Sequence, residues 1–211
     1  MPLYRKEPLE KYLADAATGN PTPGGGSVSA LVGALGTTMA EMSANFTIGR
    51  EKFKGVEPQA KQILGVCTKG REDLVTLMQK DTEAYSGVLK AYGMPKSTPE
   101  EKAARTQAIQ RALTYAMEIP LLTVRCSLKM LEAVQELVNI ANPNLIGDVG
   151  AAAIFTEAAL RGARINVEAN LTGLKDESLV SNIRKEIALA GEKATTILQE
   201  ITQKVTLTIN K

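Results

Sequence analysis

Pro21-Thr22-Pro23-Gly24-Gly25-Gly26-Ser27 runs straight into Val28-Ser29-Ala30-Leu31-Val32-Gly33-Ala34, and the fold turns on how this junction is read. Two prolines stiffen the entry, and three glycines give a backbone that can lie close to a ligand or another helix. The continuation to about Ile48 reads as a helix. Gly26, Ala30, Gly33, Thr37, Ala40 and Ala44 recur at steps of three and four, a narrow stripe without bulk that lets a second helix approach closely. The glycine-rich start offers free N–H groups and the positive end of the helix dipole, which suit an anion. The same pattern also serves a tight turn into a closely packed helix. No Gly-Lys-Ser/Thr closes the loop, so it is not a P-loop, and nothing before Pro21 reads as the strand a dinucleotide-binding turn requires.

Outward from this junction, no segment reads as a strand. Pro8 to Ala17 is a short helix ended by Gly19-Asn20-Pro21. After the small-residue helix comes the basic loop Gly49-Arg50-Glu51-Lys52-Phe53-Lys54-Gly55. The spacing then predicts a long helix over 57–92, with Ile63, Val66, Gly70, Leu74, Leu77, Asp81, Ala84 and Val88 on one stripe. Thr98-Pro99-Glu100-Glu101 has the form of a capping box and starts a fourth helix to about Ile119. Pro120 begins or kinks a fifth, which reaches Ala141. Gly147-Asp148-Val149-Gly150 opens a sixth, small-faced helix to Asn170, and a last one from about Asp176 or Ser178 carries near-heptad apolar residues. The expected fold is all-α, a single domain over 1–211 built as a bundle of long antiparallel helices.

Composition narrows the function. The net charge of +2 is too balanced for a nucleic-acid surface, and with no tryptophan and 4% aromatics there is no stacking platform. No run reaches transmembrane length. Cys67 and Cys126 are isolated, which argues against a disulfide framework or a zinc knuckle. The chain reads as reduced and cytoplasmic, without membrane or nucleic-acid partners. It contains no histidine, so any proton transfer falls to Asp, Glu, Lys, Tyr or Cys, and a metal site is not expected.

Several polar residues stand where a core would not want them. Asp81 lies on an apolar stripe, where it is either half of a buried ion pair or an acid/base facing a pocket. Asp148 precedes a helix and reads as an N-cap that can still reach a ligand. Glu41 and Asn45 share one helix face. Arg50, Lys52 and Lys54 form either a solvated loop or a counter-charge for an acidic ligand tail.

The proline-glycine loop, Asn45-Phe46-Thr47-Ile48-Gly49-Arg50, Lys80-Asp81-Thr82-Glu83-Ala84-Tyr85 and Tyr92-Gly93-Met94-Pro95-Lys96 resemble the cyclodeaminase/cyclohydrolase family of one-carbon folate enzymes. So do Pro120-Leu121 with Arg125-Cys126, Asn142-Pro143-Asn144-Leu145-Ile146-Gly147-Asp148-Val149-Gly150-Ala151-Ala152, and Ile165-Asn166-Val167. The order is right and nearly the whole chain is covered. Gly147 departs from the pattern, since the family commonly has serine there. The resemblance implies an all-helical homodimer that uses no metal or redox cofactor. Its substrate would be a tetrahydrofolate derivative. One family reaction hydrolyses 5,10-methenyltetrahydrofolate to 10-formyltetrahydrofolate; the other closes 5-formiminotetrahydrofolate to the methenyl compound with loss of ammonia.

Both reactions pass through a tetrahedral carbon between two folate nitrogens and need a proton carrier in a fixed field. Asp81 is the expected carrier, with Asp148 and Glu41 as the other carboxylate candidates. Pro23, Gly24, Gly25, Gly26 and Ser27 would lie against the substrate, as would Asn45. Asn144 and Asp148 would hold the pterin edge, and Arg50 or Lys52 would meet the glutamate tail. The stretch from Tyr92 to Arg105 looks most like stand-alone cyclohydrolases, which favours hydrolysis over deamination. A non-catalytic helical dimer that binds an anion or a partner helix is the reading from a different class.

Overall fold

The computed structural model describes residues 2–210. Among them there is no strand, and six α-helices follow one another: α1 (Leu9–Ala16), α2 (Gly25–Asn45), α3 (Glu57–Tyr92), α4 (Pro99–Leu137), α5 (Ile146–Leu171) and α6 (Glu177–Ile209). α2 and α5 pack side by side as one layer, α3 and α4 form the layer beneath, and α6 lies against α4 and α5. Leu131, Val134, Leu137, Val149, Leu160, Val167 and Ile201 fill the main core.

Local signals set most helix ends. Thr98 accepts from the Glu101 N–H at 3.2 Å while the Glu101 side chain takes the Thr98 N–H, completing the expected capping box. Asp176 caps α6 through the Leu179 N–H. α3 matches its expected limits. Its stripe is buried at Ile63, Gly70, Leu74, Leu77, Ala84 and Val88.

The small-residue stripe of α2 is buried at all six positions, and it is used within the chain. A Cβ on Gly33 would stand 3.2 Å from the Ala159 Cβ and 3.3 Å from Leu74. One on Gly36 would meet Thr156 Oγ1 at 2.6 Å. α2 therefore lies antiparallel to α5 at a separation that tolerates no side chain at these points, and its small residues serve folding of one chain.

No new helix begins at Pro120: α4 continues through it from Pro99 to Leu137. Proline lacks the N–H that would bond the carbonyl four residues back, at Ala116. The Asn170 amide of α5 donates to that carbonyl at 3.2 Å. A partner more than fifty residues away thus fills the gap, and the helix stays whole.

Candidate active site

α2 begins at Gly25, and Gly24 in the N-cap position supplies no side-chain cap. The cap comes instead from another helix. Asp81 of α3 accepts the Ser27 N–H on Oδ2 at 2.9 Å. Its carboxylate packs so tightly on Gly26 that a Cβ there would stand 2.2 Å from Oδ1. Only glycine fits, which explains part of the glycine run. Ser27 is fixed in turn: its hydroxyl donates to the Met78 carbonyl at 2.8 Å. That uses its one proton, so the contact with Tyr12 at 2.9 Å is Tyr12 donating to Ser27. α1 places Tyr12, which is 2% exposed and meets the Tyr4 ring edge-on at 5.4 Å.

Asp81 has no cationic partner among the described ion pairs, so it is not half of a buried salt bridge. Burial pushes its carboxyl up to about 6, and the Ser27 N–H bond opposes that rise only in part. Oδ2 of Asp81 is anchored, and no described residue donates to Oδ1. Burial also raises the Tyr12 phenol, which keeps it a neutral donor.

This carboxylate faces a cavity of about 220 Å³ lined by Pro21, Thr22, Gly24, Gly25, Gly26, Asp81, Ala84, Tyr85, Ala116, Asn166, Ala169 and Asn170. Asn166 and Asn170 stand one turn apart on α5. Each turns its Nδ2 onto helix carbonyls, Asn166 to Gly162 and Asn170 to Ala116 and Asn166. That assignment leaves their amide oxygens without a described donor, and Asn166 lies about 3 Å from where a Gly25 Cβ would be. In sequence Asn166 stands out only as part of the family-like stretch Ile165-Asn166-Val167, without a role, and Asn170 and Tyr12 do not stand out at all. Two asparagines at a four-residue step inside a helix, where asparagine is a poor former, were the available signal.

Gly24, Gly25, Gly26 and Asp81 thus come together at the cavity, whereas Ser27 is fully buried and anchors Asp81 from behind, and Pro23 is buried and does not line the cavity. The other expected residues do not join them. Asn45 closes α2, whose 21 residues span about 30 Å. Beyond it, Arg50, Lys52 and Asn144 line a different cleft of about 430 Å³ with Phe46, Phe53 and Pro143. Asp148 sits in the first turn of α5 and does not cap it; the N-cap position is Leu145. It is about 27 Å along α5 from Asn166. Glu41 is held by Arg71 at 2.6 Å and by Thr68 at 3.1 Å, about 22 Å along α2 from Gly26. Within one chain, a pterin beside Asp81 cannot also touch Asn144, Asp148 or Glu41.

Comparison with known proteins agrees with this architecture. Residues 8–189 match the family profile described as formiminotransferase-cyclodeaminase. The chain belongs to this family. Among its relatives, the methenyltetrahydrofolate cyclohydrolase of Methylorubrum extorquens is 38% identical over 181 residues, 86% of this chain and 87% of that protein. The formimidoyltransferase-cyclodeaminase of Rattus norvegicus is 31% identical over 188 residues, but the chain spans only 35% of its length. The crystal structure of formiminotetrahydrofolate cyclodeaminase from Thermotoga maritima superposes with a TM-score of 0.86 at 30% identity, covering 96% of this chain and 98% of that one. The helical bundle is thus the fold of this family.

Proposed function

We propose that the protein is a methenyltetrahydrofolate cyclohydrolase, converting 5,10-methenyltetrahydrofolate and water to 10-formyltetrahydrofolate. The observation that carries this reading is Asp81: a carboxyl in the lining of a cavity, raised to about 6, with one oxygen anchored by Ser27 and the other packed on Gly26 without a described donor. The methenyl group is a cation shared between N5 and N10. An ionised Asp81 attracts it, and the Asn166 and Asn170 oxygens add to a field of the right sign. Asp81 then takes one proton from water as the C–O bond forms. The tetrahedral carbon collapses as its C–N5 bond breaks and N5 receives that proton. The second water proton leaves to solvent as the formyl C=O forms. Proton transfer of this kind is worth roughly 100- to 10,000-fold.

A second reading is supported by the near-complete superposition on the Thermotoga maritima cyclodeaminase. There the leaving group would be ammonia from a formimino carbon, with the same carboxyl moving the proton. Two assays separate them. Methenyltetrahydrofolate has a near-ultraviolet band that hydrolysis abolishes, and 5-formiminotetrahydrofolate releases ammonia when it cyclises. The cyclohydrolase reading expects accelerated band loss; ammonia release at a higher kcat/KM would overturn it in favour of the deaminase.

The same proposal includes a cytoplasmic homodimer working without metal or redox cofactor. The free cysteines Cys67 and Cys126 fit a reducing compartment, and the reaction as written needs no Lewis acid.

A further inference from the structure

The Asp81 cavity, at about 220 Å³, suits a bicyclic head and leaves no room for a long acidic tail. None of its lining residues is cationic. The cationic residues expected at the tail, Arg50 and Lys52, make no described ion pair and stand about 30 Å away at the other end of α2.

The outer face of α2 supplies the connection. Val28, Val32, Leu35, Met39, Met42 and Phe46 form an apolar stripe along it; Val28 is 39% exposed, Leu35 50% and Phe46 45%, while Val32, Met39 and Met42 between them are half-buried, Met39 against the main core. The steps along it are four, three, four, three, four. The stripe is therefore symmetric about residue 37. An antiparallel copy related by a two-fold axis sets Val28 against the partner's Phe46, Val32 against the partner's Met42 and Leu35 against the partner's Met39. On α5, Ile154, Phe155 and Ile165 extend the same face, at 49%, 43% and 69% exposure. The patch is about 27 Å long and two helices wide. That is at the upper end of the apolar patches found on monomers, a size that often marks an interaction site. Charge selects the orientation. Parallel pairing would set two Arg50–Lys52 loops side by side. Antiparallel pairing carries each loop to the cation-free cavity at the start of the other α2, whose rim residues Gly25 and Ala169 lie on this face and are exposed.

We propose that the active site is shared between two copies of this chain: Asp81 and the α2 glycines of one hold the pterin, and the partner's Arg50, with the partner's Lys52, binds the carboxylates of the glutamate tail. This rests on the folate reading above. The test co-expresses Asp81→Asn and Arg50→Glu chains carrying different tags and isolates the heterodimer by two affinity steps. Arg50→Glu alone should lower kcat/KM roughly 10- to 100-fold through loss of charge-assisted bonds to the tail. In the heterodimer one site collects both lesions and the other neither. It should therefore recover about half the wild-type kcat/KM per dimer, far above either parent. Recovery no greater than the mean of the parents, an unimpaired Arg50→Glu enzyme, or no isolable heterodimer would overturn the shared site and leave Asp81 as the proton carrier intact. A fully active Asp81→Asn homodimer would instead overturn the catalytic reading and this inference with it. Orientation has its own check: Val28→Cys with Phe46→Cys should cross-link between chains, whereas efficient cross-linking of Val28→Cys alone would show parallel pairing and refute the arrangement.

Discussion

Asp81→Asn should make the protein more stable above neutral pH. In the folded chain the carboxyl is raised from 3.8 to about 6, with burial as the main cause. Folding therefore disfavours the charged form. A group shifted in this direction subtracts nothing below its unfolded value, and it destabilises progressively as pH rises through the folded one. At about pH 8 the penalty is on the order of 3 kcal/mol. Asparagine keeps an oxygen to accept the Ser27 N–H, though a neutral acceptor gives up about 1 kcal/mol against a charged one. The net expectation is a gain of roughly 1–3 kcal/mol at about pH 8, shrinking toward zero near pH 4. Urea unfolding followed by circular dichroism, at one fixed protein concentration, reads it directly. A variant less stable than wild type at pH 8, with the gap closing on acidification, would refute the reasoning. It would mean that the ionised carboxylate stabilises the fold as a cap on α2.

Four other substitutions or treatments follow from the same geometry. Gly26→Ala places a Cβ 2.2 Å from Asp81 Oδ1, so it should displace the carboxylate and lower kcat by at least tenfold, by general acid–base magnitudes; unchanged kcat would contradict the close packing. Asn170→Leu strands the Ala116 carbonyl opposite Pro120 and should cost about 1–3 kcal/mol in denaturant titration. Gly33→Leu must displace Ala159 and Leu74, an overpacking worth roughly 1–3 kcal/mol or more, and its melting temperature should fall whatever its oligomeric state. Turnover should persist in a strong chelator; activity lost there and restored by a divalent metal would contradict the metal-free scheme.

What could be read from sequence was what local chemistry decides. The capping box at Thr98 and the limits of α3 are fixed by residues within one turn. Asp81 could be singled out because the step from Leu77 to Asp81 to Ala84 holds the helical period. Pro120 looked like a helix start or a kink because its remedy, Asn170, is distant in sequence and enters through tertiary packing. Tyr12 and Asn170 were hidden for the same reason: each acts through contacts with other helices. Arg50, Lys52, Asn45 and Asn144 were grouped with the glycine loop by family resemblance, which carries residue identity but not distance. A helix of 21 residues already keeps its ends about 30 Å apart, so the separation was implicit in the length of α2.

The most direct test follows the near-ultraviolet band of 5,10-methenyltetrahydrofolate at about pH 8, with wild type and Asp81→Asn at equal concentrations of folded protein. Wild type should remove the band well above the spontaneous rate and leave 10-formyltetrahydrofolate, and Asp81→Asn should lower kcat by at least roughly 100-fold. Equal rates for the two proteins, or no acceleration over buffer by wild type, would contradict the account.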